Sequence, residues 1–372
     1  MSETTIDPSQ VPNEALQLHG CGPEDRAEQA RLFNACFKKG TIPEELRWRY
    51  DDCPHGSAVS FVSRPPGGEG ISGYACNPRR VLAFGDESTA TLVGQTGDVM
   101  THPDWRKRGI FSSLDRASMV EAGRRGWAAV FGLPNRRSAH IFLELGWDQI
   151  GLIRPWSFVL RSGPEARALR FTDGRLASLL LPATGLRCRR GEARLRRAAA
   201  GYSVAPLSRF PEEVCALSKR VEREFPFMVR RDAAYLNWRF IDNPAELHAV
   251  LGIHAANGDL AGYVVVQRPR AGEHLGYLVD VLAPDPGARA AAILAGLEDL
   301  RAAGAAMAQA TAVDDSWWME RLVEAGFLPP KAENHLIVIR YAHDRDHPVV
   351  AGAERASSWY LTDGDRDDTT MG

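Results

Sequence analysis

The alternation of apolar and polar residues predicts the same series of elements in both halves of the chain. In the first half a helical period covers residues 24–40, and shorter apolar runs after it indicate strands. The predicted elements that follow are strands at 57–63, 71–76, 79–84 and 96–102, a helix at 109–126, a strand at 127–133, a helix at 135–146 and strands within 147–160. This order indicates an α+β sandwich around a mixed sheet.

The second half repeats the order. Its predicted elements are a helix at 211–225, strands at 248–255, 260–269 and 276–284, a helix at 288–304, a strand at 305–313, a helix at 316–326 and a strand at 335–341. Sequence landmarks recur as well, because LRWRYDDCP begins at Leu46 and LNWRFIDNP begins at Leu236. Further on, Asp98 matches Asp280, and the segment LELGW matches VEAGF. Three landmarks in one order, at nearly one offset, predict two copies of one domain.

We therefore expect two tandem domains, each with a mixed, mostly antiparallel sheet flanked by helices. The expected boundaries are residues 1–162 for the first domain, 163–200 for a linker and connecting segment, 201–345 for the second domain and 346–372 for a C-terminal tail. The tail ends in the polar sequence TDGDRDDTTMG, which is expected to fray. The basic run at 187–197 is typical of a solvated linker or helix face, and a binding patch is the alternative.

Composition and charge narrow the classes of function. The 372-residue chain has a formal net charge of −2, so its overall charge does not attract nucleic acid or an anionic membrane surface. Six cysteines without CxxC spacing or a neighbouring histidine cluster indicate free thiols and no metal site. The start of the chain has no basic and apolar leader, and no apolar run reaches about 18 residues. These features predict a cytoplasmic protein.

The stretch HPDWRKRGIFSSL, residues 102–114, places three cationic side chains directly before a predicted helix. Arg106, Lys107 and Arg108 would repel the positive end of the helix dipole unless an anion lies between them. Gly109 lacks a Cβ atom, so the free amides at the helix start can approach a ligand closely. A pyrophosphate fits this arrangement. An exposed basic turn that binds nothing is the alternative.

Two motifs in the first half resemble those of the GNAT superfamily of N-acyltransferases. VMTHPDWRKRGIF resembles motif A, a strand followed by a His-Pro pair and then Arg/Gln-x-x-Gly-x-Gly/Ala. FGLPNRRSAHIFLELGW resembles motif B, a strand, an Asn, a helix and a Leu-Gly-aromatic end. The resemblance covers residues 25–160 well and residues 200–342 in outline. The chain departs from motif A at Phe111, which stands where the family has a small residue.

The resemblance implies that acetyl-CoA or another acyl-CoA is the co-substrate. Its pyrophosphate would lie on the amides of 107–112, and its pantetheine arm would pair with strand 98–101 as an added strand. Asn135 and Ser138 would approach the same arm, although Asn135 also suits a helix N-cap. The full set of residues expected to bind the cofactor is Val99, Met100, Thr101, Arg106, Lys107, Arg108, Gly109, Ile110, Phe111, Ser112, Asn135 and Ser138.

The catalytic expectations follow from the chemistry of acyl transfer to an amine. The amine must lose a proton, the oxyanion needs a donor, and the CoA thiolate needs a proton or a stabilising dipole. Asp98 is the first candidate for the general base, directly or through water, and a structural strand aspartate is the alternative. His102 is the second candidate, although it also suits a cap of the strand end. The family often uses a Tyr as general acid, but alignment of the Leu-Gly-Trp segment places Phe142 there.

With Phe142 in that place, water, Ser138 or His140 would have to protonate the thiolate. The oxyanion donor is expected to be a backbone amide near Met100 or Thr101. No cysteine lies on the motifs, so a cysteine nucleophile is not expected.

The second half has LAPDPGARAAAIL where the first has its basic loop. Asp285 there would repel phosphate, so we expect CoA in the first copy alone. The sequence predicts an N-acyltransferase that acts on a small-molecule amine, with an amino sugar or sugar nucleotide as the first guess. A FemABX-like aminoacyl transferase and a non-catalytic acyl-CoA-binding regulatory or scaffold protein are the rivals.

Overall fold

The structure is a computed structural model that describes residues 11–161, 163–166, 174–330 and 335–367, with the side chains of residue 137 and residues 174–184 left aside. The strands of the first copy are β1 (Gln17–Gly20), β2 (Val59–Arg64), β3 (Ser72–Leu82), β4 (Thr91–Thr101), β5 (Ala129–Gly132) and β6 (Asp148–Val159). Its helices are α1 (Arg26–Phe37), α2 (Pro43–Tyr50), α3 (Ile110–Arg124) and α4 (Arg136–Glu144).

The second copy has the corresponding elements and several short additions. Its helices are α5 (Gly174–Ala198), α6 (Val214–Glu222), α7 (Ala233–Leu236), α8 (Pro286–Ala302), α9 (Trp317–Ala325) and α10 (Pro348–Ala351), and a π-helical turn covers Asn237–Ile241. Its strands are β7 (Ser203–Pro206), β8 (Phe227–Val229), β9 (His248–His254), β10 (Leu260–Gln267), β11 (Leu275–Leu282), β12 (Met307–Val313), β13 (Leu336–Ala342) and β14 (Trp359–Tyr360). The predicted α+β fold with a mixed sheet is confirmed.

One predicted boundary, between two strands of the first half, is wrong for a clear physical reason. The strands expected at 71–76 and 79–84 are one strand, β3, which continues through Pro78. β2 pairs with β3 only as far as Cys76, so the missing amide of Pro78 costs no bond on that side. The basic run at 187–197 agrees with the helix-face interpretation, because its arginines are exposed on α5, which packs against α8 on its other side.

The two copies exchange their last strands and so share one sheet. The strand order is β1-β2-β3-β4-β5-β13-β6-β12-β11-β10-β9-β7, and β8 and β14 extend from β3. β13 of the second copy lies antiparallel between β5 and β6 of the first copy. β6 in turn pairs with β12 over seven residue pairs, from Ile153 with Val313 to Val159 with Met307. Each copy is therefore closed by a strand from the other.

A pair of tryptophans from the repeated motif joins the copies a second time. The indole Nε1 of Trp48 donates to the carbonyl of Trp238, and the indole of Trp238 donates to the carbonyl of Trp48, both at 2.9 Å. The two rings stack with their centroids 5.1 Å apart. Because equivalent residues exchange equivalent bonds, this contact has the pattern of a local two-fold axis.

Residues 362–365 of the segment expected to fray are buried, and residues 368–372 lie outside the described residues. Thr362, Asp363 and Asp365 are each at most 3% exposed. The segment begins with β14, which pairs with β8, and a short 3-10 turn at Asp363–Asp365 follows. The polar composition was misleading because these side chains form hydrogen bonds inside the protein.

The tryptophan pair gives a testable prediction of stability. Trp238→Phe leaves the carbonyl of Trp48 without its indole donor, which should lower the free energy of unfolding by about 1–3 kcal/mol beyond the loss of packing. Urea unfolding measures it. Trp318→Phe is the matched control, because Trp318 is also buried but its indole nitrogen has no hydrogen-bond partner among the described residues. Equal losses in the two variants would contradict the prediction.

Candidate active site

A gap between two parallel strands of the first copy forms the candidate site. β4 pairs with β5 only from Val93 with Ala129 to Gln95 with Phe131, and the two strands separate after that point. The edge of β4 that faces β5 therefore has no ladder partner beyond Gln95. Exposed amides and carbonyls of this kind can pair with an extended ligand as an added strand.

A cavity of about 360 Å³ opens in this gap. Its apolar lining comes from α1, from β4, from the loop between β5 and α4, from α4 and from the start of β13. Its polar lining comes from Lys39 after α1, from β4, from the start of α4 and from residues 366–367. The lining side chains used below are Phe33, Phe37, Lys39, Asp98, Val99, Asn135, Ser138, Phe142, Arg366 and Asp367. The structure thus brings together four of the predicted site residues, namely Asp98, Val99, Asn135 and Ser138.

Asp98 lies at a bulge in β4 and is held by two neighbours from the repeated motif. The register shifts between Gly73 and Ala75 of β3, and Asp98 has a positive φ of 50°. Nη1 of Arg49 lies 2.5 and 2.7 Å from the two carboxylate oxygens, and the hydroxyl of Tyr50 donates to the same carboxylate at 2.6 Å. A non-glycine residue at positive φ is strained, and a bulge re-aims its side chain. The bulge and the two donors together set the direction of the carboxylate at the cavity wall.

Arg49 and Tyr50 are site residues that the sequence argument missed. Both occur in the repeated Leu-x-Trp-Arg-aromatic motif, which indicated a repeat but not a site. Burial would lower the pKa of Arg49, but the carboxylate of Asp98 reverses this and raises it, with a further contribution from Asp367. Arg49 therefore remains a buried cation paired with the carboxylate of Asp98.

The basic loop before α3 has the backbone form expected of an anion cradle. Lys107 and Gly109 both have positive φ, 62° and 73°, and Gly109 is the N-cap of the 15-residue helix α3. Arg106 and Lys107 are exposed, and Nε of Arg106 donates to the carbonyl of Thr101 at 3.1 Å. Arg108 stacks over the ring of Trp105 at 4.9 Å and donates to the carbonyl of Val11. The amides at the start of α3 thus lie beside three cationic side chains.

The remaining residues of this loop face the core. Ile110 is buried, and Phe111 stacks on Tyr74 at 5.9 Å and meets Phe142 edge-on at 5.0 Å. Phe111 therefore packs against the rings of Tyr74 and Phe142. Ser112 is half-buried, and its amide donates to the carbonyl of Gly109.

Three predicted residues at the end of β4 lie beside the cavity lining. Met100 is buried against Leu32 and Phe33. The hydroxyl of Thr101 lies 2.8 Å from that of Ser72. His102 caps the short turn at Pro103–Trp105, because its Nδ1 accepts from the amide of Asp104 at 3.4 Å.

The start of α4 combines capping with a position on the cavity. Oδ1 of Asn135 accepts from the amide and the hydroxyl of Ser138, both at 3.2 Å. Asn135 and Ser138 also line the cavity, so the two roles expected for Asn135 occur in one geometry. Phe142, 2% exposed, lies on the same wall and carries no proton to donate.

In the second copy, side chains of the protein itself occupy the positions equivalent to the helix start and the strand gap of the first copy. At the start of α8, Oδ1 of Asp285 accepts from the amides of Gly287 and Ala288 at 2.8 and 3.2 Å and from the hydroxyl of Tyr202 at 2.8 Å. The carboxylate thus occupies amides that would otherwise face a phosphate. Because Asp285 occupies these amides, the arrangement supports the expectation that CoA binds only in the first copy.

The gap between β11 and β12 is occupied by the C-terminal segment. These strands pair only from Leu275 with Met307 to Tyr277 with Gln309, and they then separate as β4 and β5 do. The carboxylate of Asp363 enters the gap and accepts from the amide and hydroxyl of Thr311. Thr362 donates to Asp280 at 2.6 Å, and Asp280 also accepts from Arg231 and Tyr263.

The segment then continues from the second copy into the first. The carbonyl of Asp365 accepts from the side-chain amide of Gln95 on β4. Arg239 donates to the carbonyls of Gly364 and Arg366. The next residue, Asp367, lines the cavity of the first copy. Sequence reasoning missed this contribution because composition alone marked the segment as a tail.

A buried carboxylate lies beneath the site on the core side of α3. Asp115 is 1% exposed and accepts from the hydroxyl of Tyr74 at 2.9 Å and from the indole of Trp147 at 3.3 Å. Burial raises the pKa of Asp115 to about 6, against the opposing effect of these two bonds. Asp115 lies on the buried side of α3 and does not line the cavity.

His19, Cys21 and Asp25 are the one group with metal-ligand chemistry among the described residues. Asp25 already accepts from the amide of Gly22 and pairs with the guanidinium of Arg64 at 2.9 Å. The cation beside it disfavours a metal ion, and burial raises the pKa of the Cys21 thiol to about 12, which disfavours the thiolate that would bind one. This group lies apart from the cavity lining.

Residues 19–150, about a third of the chain, match the model of a family described as an acetyltransferase (GNAT) domain. No curated protein sequence matches the chain. None of the described helices has the length and apolar character that a membrane crossing requires.

Solved structures resemble most of the chain, across both copies. A probable N-acyltransferase of unknown function from Enterococcus faecalis V583 superposes with a TM-score of 0.61 at 11% identity, over 89% of this chain and 74% of the other. A tandem GNAT protein from the clavulanic acid biosynthesis pathway gives 0.54 at 15% identity, over 88% and 98%. Saccharomyces cerevisiae N-myristoyltransferase with bound myristoyl-CoA gives 0.58 at 11% identity, over 91% and 83%. At these identities the likeness shows the fold, a tandem GNAT arrangement.

The buried carboxylate predicts a specific pH dependence of stability. The folded-state pKa of Asp115 is above its ordinary value, so the folded state binds the proton more tightly and stability falls as pH rises through about 4 to 6. The full effect is about 3 kcal/mol. Asp115→Asn should flatten this part of the profile measured by urea unfolding. The control Asp52→Asn changes an exposed aspartate and should keep the wild-type slope, and an unchanged slope in Asp115→Asn would refute the assignment.

Proposed function

We propose that the protein is an acyl-CoA-dependent N-acyltransferase with one catalytic site, in the first copy, because residues 19–150 match the model of an acetyltransferase (GNAT) domain and the chain has the fold of a tandem GNAT protein. The observation that carries the proposal is the contrast between the copies. The first copy has an open gap and cationic side chains beside its helix start, whereas the second has Asp363 in the gap and Asp285 on the helix amides.

CoA would bind with its pyrophosphate on the amides at the start of α3, beside Arg106, Lys107 and Arg108. Its pantetheine arm would extend along the open edge of β4, past Val99, Asn135 and Ser138. These contacts use backbone groups that β5 leaves unpaired, and they bring the thioester to the bulge at Asp98.

The amine attacks the carbonyl carbon of the thioester directly. The nitrogen–carbon bond forms while the carbon–sulfur bond breaks, and CoA leaves as a thiolate that takes up a proton. The proton of the amine passes to Asp98, directly or through a water molecule. A backbone amide near Met100 or Thr101 stabilises the oxyanion. Ser138 lines the cavity and is the candidate donor to the thiolate, since Phe142 has no proton to give.

The acceptor is a small molecule with a primary amine, and an amino sugar or sugar nucleotide remains the first guess. The acyl group is acetyl, because the acetyltransferase family covers the site and a cavity of about 360 Å³ must also hold the acceptor. A non-catalytic acyl-CoA-binding protein would share the CoA site. Thiol release from acetyl-CoA with a panel of primary amines separates the two, because the non-catalytic protein releases none.

Calorimetry with CoA should give one site per chain. Arg108→Glu should weaken CoA binding by about 1–3 kcal/mol, because it removes a cation and places a negative charge beside the phosphates. Arg124→Glu is the control, since it makes the same charge change at the exposed far end of α3. Two equivalent sites per chain would overturn the proposed asymmetry.

Asp98→Asn should lower kcat/KM by about 10²–10⁴, the range for a removed general base. CoA affinity should change little, because backbone groups provide most of the contacts. The low-pH limb of the rate profile should shift or vanish. Asp51→Asn is the matched control, because Asp51 also pairs with a buried arginine, Arg26, but does not line the cavity. Near-normal turnover in Asp98→Asn would make Asp98 a structural strand residue.

A further inference from the structure

The segment at residues 11–16 lies against the basic loop before α3. It leads into β1, which pairs with β2 at the edge of the sheet. Val11 and Leu16 are half-buried against the apolar cluster that contains Trp105. The segment precedes residues 19–150, so the match to the GNAT domain model does not extend to it. Its packing nevertheless fixes it beside the loop proposed to bind the pyrophosphate.

Two hydrogen bonds join this segment to Arg108. Nδ2 of Asn13 donates to the carbonyl of Arg108 at 2.6 Å, and the guanidinium of Arg108 donates to the carbonyl of Val11. The guanidinium also lies over the ring of Trp105, 4.9 Å from its centroid. The segment 11–16 therefore holds both the backbone and the side chain of Arg108.

The bond from Asn13 sets the direction of the next amide. In a trans peptide the carbonyl and the amide that follows it point in opposite directions. Because Asn13 binds the carbonyl of Arg108, the amide of Gly109 points away from the segment 11–16. Within the part of the chain that the structure describes, the amides of Gly109, Ile110 and Phe111 have no hydrogen-bond partner, so all three are able to donate to an anion.

The loop has little other support at this point. Lys107 has a positive φ of 62°, which costs free energy in a residue other than glycine and persists only where neighbouring contacts enforce it. No described residue beyond the chain neighbours of Gly109 lies within 4 Å of the place where its Cβ atom would be. The bonds from Asn13 and to Val11 are therefore contacts that keep the loop in its observed form.

We propose that Asn13 is a positioning residue for CoA, because it fixes the peptide between Arg108 and Gly109 with its amide toward the pyrophosphate. Val11 assists by holding the guanidinium of Arg108 beside the same phosphates. Without the bond from Asn13 this peptide is free to rotate, and ordering it on binding costs affinity. The inference rests on the proposed function, because it needs CoA at the start of α3.

Calorimetry with CoA and the full chain tests this role. Asn13→Ala should weaken CoA binding about three- to tenfold, the scale of one hydrogen bond. The urea unfolding midpoint of the ligand-free protein should stay nearly unchanged, because Asn13 is exposed. Asn257→Ala is the matched control, since the side-chain amide of Asn257 also donates at 2.7 Å, to Asp259, in an exposed turn between β9 and β10. This variant should bind CoA as the wild type does.

A spectroscopic signature separates positioning from a general effect on the fold. In a nuclear magnetic resonance spectrum of protein with isotope-labelled glycine, saturating CoA should move the amide proton of Gly109 downfield, because that amide then donates to a charged phosphate. The displacement should be smaller in Asn13→Ala at the same saturation and should keep its wild-type size in Asn257→Ala.

The outcomes separate the inference from the proposed function. If CoA binds the wild type and Asn13→Ala equally tightly, or if the Gly109 resonance moves equally far in both, the inference is wrong and the CoA site stands. If CoA does not bind the wild type, the proposed function fails and the inference fails with it.

Discussion

The exchange of β6 and β13 is the constraint on which the rest of this structure depends. β6 lies between two strands of the second copy, and β13 lies between two strands of the first. A strand with partners on both sides forms two ladders, and removing it would leave two rows of backbone groups unpaired. Neither copy therefore has a closed sheet of its own. The reciprocal bonds of Trp48 and Trp238 lie in the same apolar cluster and fix the copies across the sheet.

The two copies share one arrangement of strands but differ in what occupies the gap between them. The gap between parallel strands is present twice, since β4 leaves β5 and β11 leaves β12 after three residue pairs each. In the second copy the chain's own residues at 363–365 occupy the gap, with Asp363 bonded to Thr311. In the second copy the gap therefore binds a segment of the same chain. Because the shared sheet joins the two copies, this segment has a fixed position relative to the first copy.

The pattern of apolar residues predicted most helices and strands, because a helical or alternating period reports directly on which face is buried. The basic loop with Gly109 was also predictable, since a cationic cluster before a helix needs an anion. The strand exchange could not be predicted from the sequence, because the alternation of apolar and polar residues in β13 is the same whichever strands it pairs with. The role of Arg49 was hidden, since a repeated arginine indicates common ancestry of the copies but not what its guanidinium contacts. The position of residues 362–367 could not be predicted, because acidic residues that form hydrogen bonds inside a protein have the same composition as those of a solvated tail.

The strand exchange also orders events during synthesis. β6 leaves the ribosome roughly 180 residues before β13, which at about 5–20 residues per second is a delay of about 10–35 s. Through that interval β5 and β6 present open edges on which foreign strands can pair. The cavity is completed later still, when residues 366–367 emerge. A chain that ends before residue 366 therefore has the basic loop before α3 but lacks two of the residues that line the cavity.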